Sequence, residues 1–221
     1  MPVPVPPDEP ILDVCLWETG QPLLRVADDQ FGATEFNPCQ GEPTRFAPLT
    51  IDGQCIPTLY AAETLDAVLM ESVFHDVVLD HPDGAPPEVY LADLATVRRS
   101  TIASQRDLRL GRLDDDALAT LGLERTELID SDADTYPETV RWAQHAHRHG
   151  AADRGPLDGL IWHSRRAAQG LASRELVVVL FGDRVARRDL DSRGTPVPLV
   201  VSTGLDELDS IANRLGVTLV R

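Results

Sequence analysis

Five side chains carry the chemistry this sequence could do: Arg25, Arg45, Tyr60, Glu71 and Ser164. Arginine offers a planar fork that matches a pyrophosphate bidentately. Tyr60 offers an aromatic face for a heteroaromatic ring such as nicotinamide. Glu71 lies on a segment with two apolar stripes, Leu65, Val68, Leu69 and Val73 on one face and Ala67, Met70, Phe74 and Val77 on another, so its carboxylate projects into an enclosed space. An enclosed carboxylate can hold a ribose hydroxyl and stabilise oxocarbenium charge. Ser164 closes the apolar run Leu160-Ile161-Trp162-His163 at a strand end. Singly, each has a plainer reading: Glu71 as a core salt bridge, Tyr60 as packing, the arginines as surface charge. Together they suit one chemistry.

Other chemistries are poorly served. All 20 basic residues are arginine, which removes the Walker A loop, the kinase strand lysine, pyridoxal-phosphate Schiff bases and Ser-x-x-Lys hydrolases. Against 36 acidic residues the net charge is −16, so no basic surface is expected to meet nucleic acid directly. His145-x-His147-x-His149 puts its first and last histidines on one helix face and the middle one elsewhere; these are read as solvated histidines at the negative end of a helix, and no metal is assigned. No G-x-S-x-G elbow surrounds Ser164, and no G-x-G-x-x-G follows a strand. Cys15, Cys39 and Cys55 are odd in number and match no C-x-x-C pattern, which favours bystander thiols over a disulfide framework or zinc.

The elements that must position these groups follow from periodicity. A Pro-rich arm and lead-in occupy 1–20, and short apolar runs predict strands near Leu23–Ala27 and Ile56–Ala62, with a long Gly/Pro/Asn-rich loop over Phe31–Gly53 between them. Thr64 reads as the N-cap of a helix running to about Val78, and His81–Pro87 as a turn-rich break. Strands follow near Val97–Ala103 and Leu108–Leu113, with a helix over Leu91–Arg99 as an alternative to the start of the first. Further on come helices over Asp114–Leu121 and Tyr136–His149, strands over Leu160–His163, Glu175–Phe181 and 196–201, a helix over Leu205–Leu215, and a last short strand. Such loose alternation makes the chain α+β (mixed α/β), with one domain over 21–185 and an extension over 186–221 packed on it. No run is apolar enough to span a membrane, and the N-terminus has no signal-peptide pattern, so the cytoplasm is the expected location.

An ordered series of segments resembles the RES domain family: Phe31-Gly-Ala-Thr-Glu-Phe-Asn-Pro38, Thr44-Arg-Phe-Ala-Pro48, Pro57-Thr-Leu-Tyr-Ala-Ala62, Ala67-Val-Leu-Met-Glu-Ser-Val-Phe-His75 and Asp158-Gly-Leu-Ile-Trp-His-Ser-Arg165. The likeness runs from about Leu23 to Phe181 and includes Asp107–Leu110; the arginine, glutamate and serine of the family name fall on Arg45, Glu71 and Ser164. Thr44 stands where the family usually has glycine, Val26 where some members have tyrosine, and Trp162 where tyrosine is common. The resemblance implies a fold similar to ADP-ribosyltransferases and a bacterial toxin that consumes NAD⁺, by phosphorolysis, hydrolysis or transfer of ADP-ribose to a protein. It implies that Arg25 and Arg45 hold the pyrophosphate or adjacent ribose, that Tyr60 packs at the nicotinamide side, that Glu71 is the main catalytic carboxylate with Arg45 and Ser164 beside it, and that Ser164 binds ribose or amide. NAD⁺ is then the substrate, inorganic phosphate a candidate co-substrate, and a helix-turn-helix antitoxin the expected partner. The segment beyond Arg184 is left for homodimer or partner contact. The competing reading is a non-catalytic module that binds a nucleotide or a partner.

Overall fold

Alternating and fully apolar runs set the strands, and the computed structural model, which describes residues 2–75, 77, 85–164 and 175–221, gathers most of them into one sheet. In chain order the strands are β1 (Val14–Trp17), β2 (Pro22–Asp28), β3 (Leu49–Ile51), β4 (Gln54–Ile56), β5 (Thr58–Ala62) and β6 (Glu88–Tyr90). They continue with β7 (Val97–Ser104), β8 (Leu108–Arg112), β9 (Gly159–His163), β10 (Leu176–Phe181), β11 (Leu190–Pro198) and β12 (Thr218–Val220). The helices are α1 (Leu65–Met70), α2 (Asp115–Thr120), α3 (Arg125–Leu128), α4 (Tyr136–His149) and α5 (Ser202–Leu215). The eight-stranded sheet runs β1, β8, β9, β10, β5, β2, β7, β11, antiparallel except between β8 and β9. β3 and β4 form a hairpin, and β12 lies parallel to β6.

Connectivity forces this sheet to curl. β7 and β8 are joined by residues 105–107 yet stand five places apart in the sheet. Laid flat, that distance would be about 24 Å, whereas the linker reaches only about 15 Å. Residues 18–21 impose the same closure between β1 and β2, five places apart. The turns are clasped where they meet: Thr19 N–H and Oγ1 both donate to Asp107 Oδ1, each at 2.8 Å. One face of the curl packs on itself through Trp17, Leu23, Leu59, Leu108, Val178 and Leu190, with no helical residue among the described members of the cluster. The other face is covered by α1, α4 and α5 through residues such as Leu69, Trp142, Ala146 and Leu208.

Several expectations are corrected. α1 ends at Met70 rather than near Val78, which lies outside the described residues; Glu71 is its C-cap, and the chain turns at once to bury Phe74 completely. Here tertiary packing overrides a helical apolar period that continues in the sequence. The long loop after β2 contains the β3–β4 hairpin, and Cys39 and Cys55, expected as thiols, are joined in a disulfide, because that hairpin folds the loop back on itself; Cys15 is the free cysteine. Counting cysteines could not reveal this pair, since the odd residue is simply left over. A 3₁₀ turn over Leu91–Leu94 replaces the alternative helix. His145 and His147 are buried, not solvated: His147 Nε2 pairs with Asp183 Oδ2 at 2.8 Å, and the His145 ring stacks on His149 with centroids 4.9 Å apart. The Pro-rich arm covers the His145 side of the helix. Pro4 carbonyl accepts from the Trp142 indole N–H at 2.9 Å, and burial, then His149, holds the His145 imidazole below its usual range.

Thr64 is the expected cap and does two jobs. Its Oγ1 accepts from Ala67 N–H at 3.2 Å and donates to Glu175 Oε2 at 2.6 Å, tying the start of α1 to the start of β10. Thr64→Ala should therefore lower stability by about 1–2 kcal/mol, with most of the loss restored by Thr64→Ser. Urea unfolding of the three proteins checks this.

Candidate active site

β2 and β5 are neighbours in the sheet but share only the pair Leu24 and Ala62. Beyond it they part. On β5, Thr58 exchanges both main-chain hydrogen bonds with Asn37, at 2.8 and 3.0 Å, on the side away from β10. Because successive residues of an antiparallel strand aim their main-chain groups at opposite neighbours, Tyr60 aims its N–H and C=O the same way as Thr58 and Ala62. Val26 on β2 aims its own back at them, and neither residue takes part in a ladder across the gap. The split opens a cleft of about 250 Å³ lined by Arg25, Val26, Thr44, Thr58 and Tyr60 among others. Val26 and Tyr60 also line a smaller cavity of about 40 Å³ that reaches Glu71 and Val177.

At the inner end of this split the structure brings together Arg45, Glu71 and Ser164. As the C-cap of α1, Glu71 leaves the helix axis, and its Oε1 accepts from Ser164 Oγ at 2.7 Å. Its Oε2 lies 3.8 Å from Arg45 Nη1, an ion pair too long for a hydrogen bond. Arg45 is 3% exposed, and its Nε and Nη2 have no hydrogen-bond partner among the described residues. Its Cζ lies 5.7 Å from the Tyr136 ring centroid, and Tyr136 Oη meets His75 Nε2 at 3.1 Å. A buried guanidinium held by one distant carboxylate and an aromatic face is arranged to keep charge available rather than neutralised.

Tyr60 and Arg25 have structural duties beyond those expected. The Tyr60 hydroxyl accepts from Phe46 N–H at 3.1 Å and bonds Thr44 Oγ1 at 3.0 Å, so it fixes the residues on either side of Arg45. Thr139 Oγ1 on α4 donates to the Arg45 carbonyl, and Phe46 packs edge-on against Trp162 with centroids 5.0 Å apart. Arg25 is not in this cluster. It lies along the cleft, where Nη1 donates to the carbonyls of Gly32 and Ala33, both at 2.9 Å, and burial pushes the guanidinium down to about 10, with Glu35 opposing.

Sequence reasoning missed Arg125. Its Nη2 donates to the carbonyls of His163 and Ser164 at 3.3 Å while Nη1 pairs with Asp115 and Nε and Nη2 pair with Asp130, so it pins the end of β9 where Ser164 stands. A lone arginine among scattered aspartates carries no periodic signal. His75 ends the Ala67–His75 segment and Tyr136 opens a predicted helix, yet nothing in their spacing joins them to Arg45.

The family model described as RES domain matches residues 22–201, most of the chain. The chain belongs to the RES domain family. The match passes Phe181 and takes in β11, the strand that completes the sheet beside β7. Among solved structures, the RES chain is similar to one in the crystal structure of the M. tuberculosis MbcT–MbcA toxin–antitoxin complex, with a TM-score of 0.55, 16% identity and 93% of each chain covered. At that identity the likeness is one of fold. Among curated protein sequences none matches.

Burial pushes the Tyr60 phenol up to about 12 from 10.0. A phenol that keeps its proton longer when folded gives stability that is full below the unfolded value and is lost as pH climbs through the folded one. Wild type should therefore lose stability between about 10 and about 12 more steeply than Tyr60→Phe. At neutral pH the variant should be weaker by about 1–2 kcal/mol, because Phe46 N–H is left without its acceptor. Urea midpoints across that window test both statements.

Proposed function

We propose that this RES domain protein cleaves the bond between nicotinamide and ribose in NAD⁺, with inorganic phosphate or water as acceptor, and acts as a toxin restrained by a cognate antitoxin. The observation that carries this reading is a largely enclosed carboxylate, Glu71, held by Ser164 and faced by Arg45 at the inner end of a cleft formed by two unzipped strands. The main-chain groups of Tyr60 and Val26 in the gap offer the donor and acceptor that a carboxamide needs. Arg25 lines the cleft and is the cation proposed for the pyrophosphate, while Arg45, buried beside Glu71, contributes its charge near the ribose.

In the step proposed, the ribosyl C1″–N bond breaks and its electron pair leaves with nicotinamide, which departs neutral and needs no proton. Positive charge builds on the ribosyl ring, and Glu71 stabilises it as a fixed negative charge in a largely dry site. Ser164 holds the carboxylate by one oxygen. Phosphate then gives ADP-ribose-1″-phosphate, while water gives ADP-ribose and a proton. Guanidinium charge around the cleft favours an anionic acceptor.

Support for the partner comes from the similar fold found in a toxin–antitoxin complex and from the chain's own charge of −16, which suits a basic, helix-turn-helix antitoxin. No helix among the described residues is long and apolar enough to cross a membrane, in keeping with action in the cytoplasm.

Glu71→Gln keeps shape and the Ser164 bond but removes the charge, so nicotinamide release should fall by about 10²–10³. Arg45 then loses its counter-charge, and the melting temperature should drop while the variant stays folded. Chromatography of NAD⁺ digests, with circular dichroism of both proteins, decides the matter: no nicotinamide from wild type, or undiminished release by the variant, overturns the proposal. Mass analysis with and without phosphate then separates phosphorolysis from hydrolysis and from modification of a protein.

A further inference from the structure

A second cleft of about 280 Å³ adjoins the first and shares Arg25, Ala27 and Phe31 with it. It is built by the sheet. Arg25 and Ser100 are cross-strand partners on β2 and β7, so their side chains stand side by side on one face. Opposite Ser100 the pairing of β11 with β7 shifts: Arg193 pairs with Thr101 and Val197 with Arg99, leaving residues 194–196 bulged outward. The bulge turns at Gly194, φ +75°, and brings Pro196 to the cleft wall.

The polar groups of this cleft are mostly spent. Arg98 Nη2 pairs with Asp29 Oδ2 at 2.9 Å. Arg25, 5% exposed, uses only Nη1, leaving Nε and Nη2 without a partner among the described residues, and Ser100 Oγ likewise has none. What remains is a slot with Phe31, Ala33 and Pro196 as apolar walls, one hydroxyl, and a buried, half-used guanidinium where it meets the first cleft. Neither cleft alone reaches the roughly 300 Å³ at the lower end of small-molecule sites, but the two together do.

We propose that the second cleft is the subsite for the adenylate half of the dinucleotide, the purine lying between Phe31 and Pro196 and the phosphates at Arg25 where the clefts meet. This rests on the reading of Glu71 as the reaction centre, which assigns the nicotinamide end to the inner split and leaves the far side of Arg25 for the other nucleoside. It also gives β11 a duty in recognition. Arg25 holds the Gly32 and Ala33 carbonyls, so the same side chain that meets the phosphates sets the loop bearing Phe31.

The test compares NAD⁺ with nicotinamide mononucleotide, which carries the same scissile bond and no adenylate. In Phe31→Ala, and in Pro196→Glu on the exposed bulge, the ratio of kcat/KM for NAD⁺ over the mononucleotide should fall about tenfold, the scale of one lost base-stacking contact. Calorimetry with AMP reads the subsite without turnover: wild type should bind it and both variants should bind it at least about tenfold more weakly. An unchanged ratio, or AMP that binds wild type and variants equally or not at all, overturns the proposal. Absence of nicotinamide release from either substrate by wild type would instead strike the reaction assigned to Glu71, and AMP binding would still report on the cleft.

Discussion

A guanidinium that is 3% exposed stands in this fold between a carboxylate and an aromatic ring, and at 3.8 Å the arginine and the carboxylate attract without a direct hydrogen bond. Desolvating both ions costs several kcal/mol, and an apolar pair of similar volume would often be as stable or more so. A close bidentate pairing would have recovered more of that cost while closing off both groups. Arg45 instead keeps two nitrogens unspent, and Glu71 gives one oxygen to Ser164. The remaining structure is arranged to hold this loosely paired arginine beside its carboxylate.

That holding comes from parts distant in the chain. Tyr60 grips the main chain and side chain on either side of Arg45, Thr139 takes its carbonyl, and Phe46 anchors the same loop in the core beside Trp162. The Cys39–Cys55 bond closes the segment that contains all three loop residues, Thr44, Arg45 and Phe46. Ser164 is steadied by Arg125, and Glu71 by a short helix whose cap, Thr64, is tied to the start of β10. α1 has only six residues; its position depends on these ties rather than on its own helicity.

Much of this was legible in the sequence, and for identifiable reasons. β2, β5, β10 and α4 carry strong periods, and α4 runs from Tyr136 to His149 with its stop at Gly150, as its flanking residues announce. Arg45, Glu71 and Ser164 were singled out by residue type and by likeness of the surrounding segments, and the fold brings those three together. β1, the β3–β4 hairpin and β6 were not foreseen, being three or four residues long and held by partners far away in sequence. The burial of His145 depends on an arm more than a hundred residues upstream, that of His147 on Phe181 and Asp183, and the placement of Arg125 and Phe31 on which strands become neighbours. Local pattern holds none of that information.

The gap between β2 and β5 has a further meaning for the energetics of the domain. Continuing the ladder from Leu24 and Ala62 would pair Val26 with Tyr60 and add rungs, and nothing in the dihedral preferences of either residue forbids it. The Asn37 bridge to Thr58 and the duty of the Tyr60 hydroxyl at the Arg45 loop hold the strands apart. On the function proposed, a fully zipped β2–β5 pair and a bound carboxamide would compete for the same hydrogen-bonding edge. Substitutions that favour zipping would make the protein harder to unfold and less able to admit a ligand, so in this part of the molecule stability and occupancy draw on one set of main-chain groups.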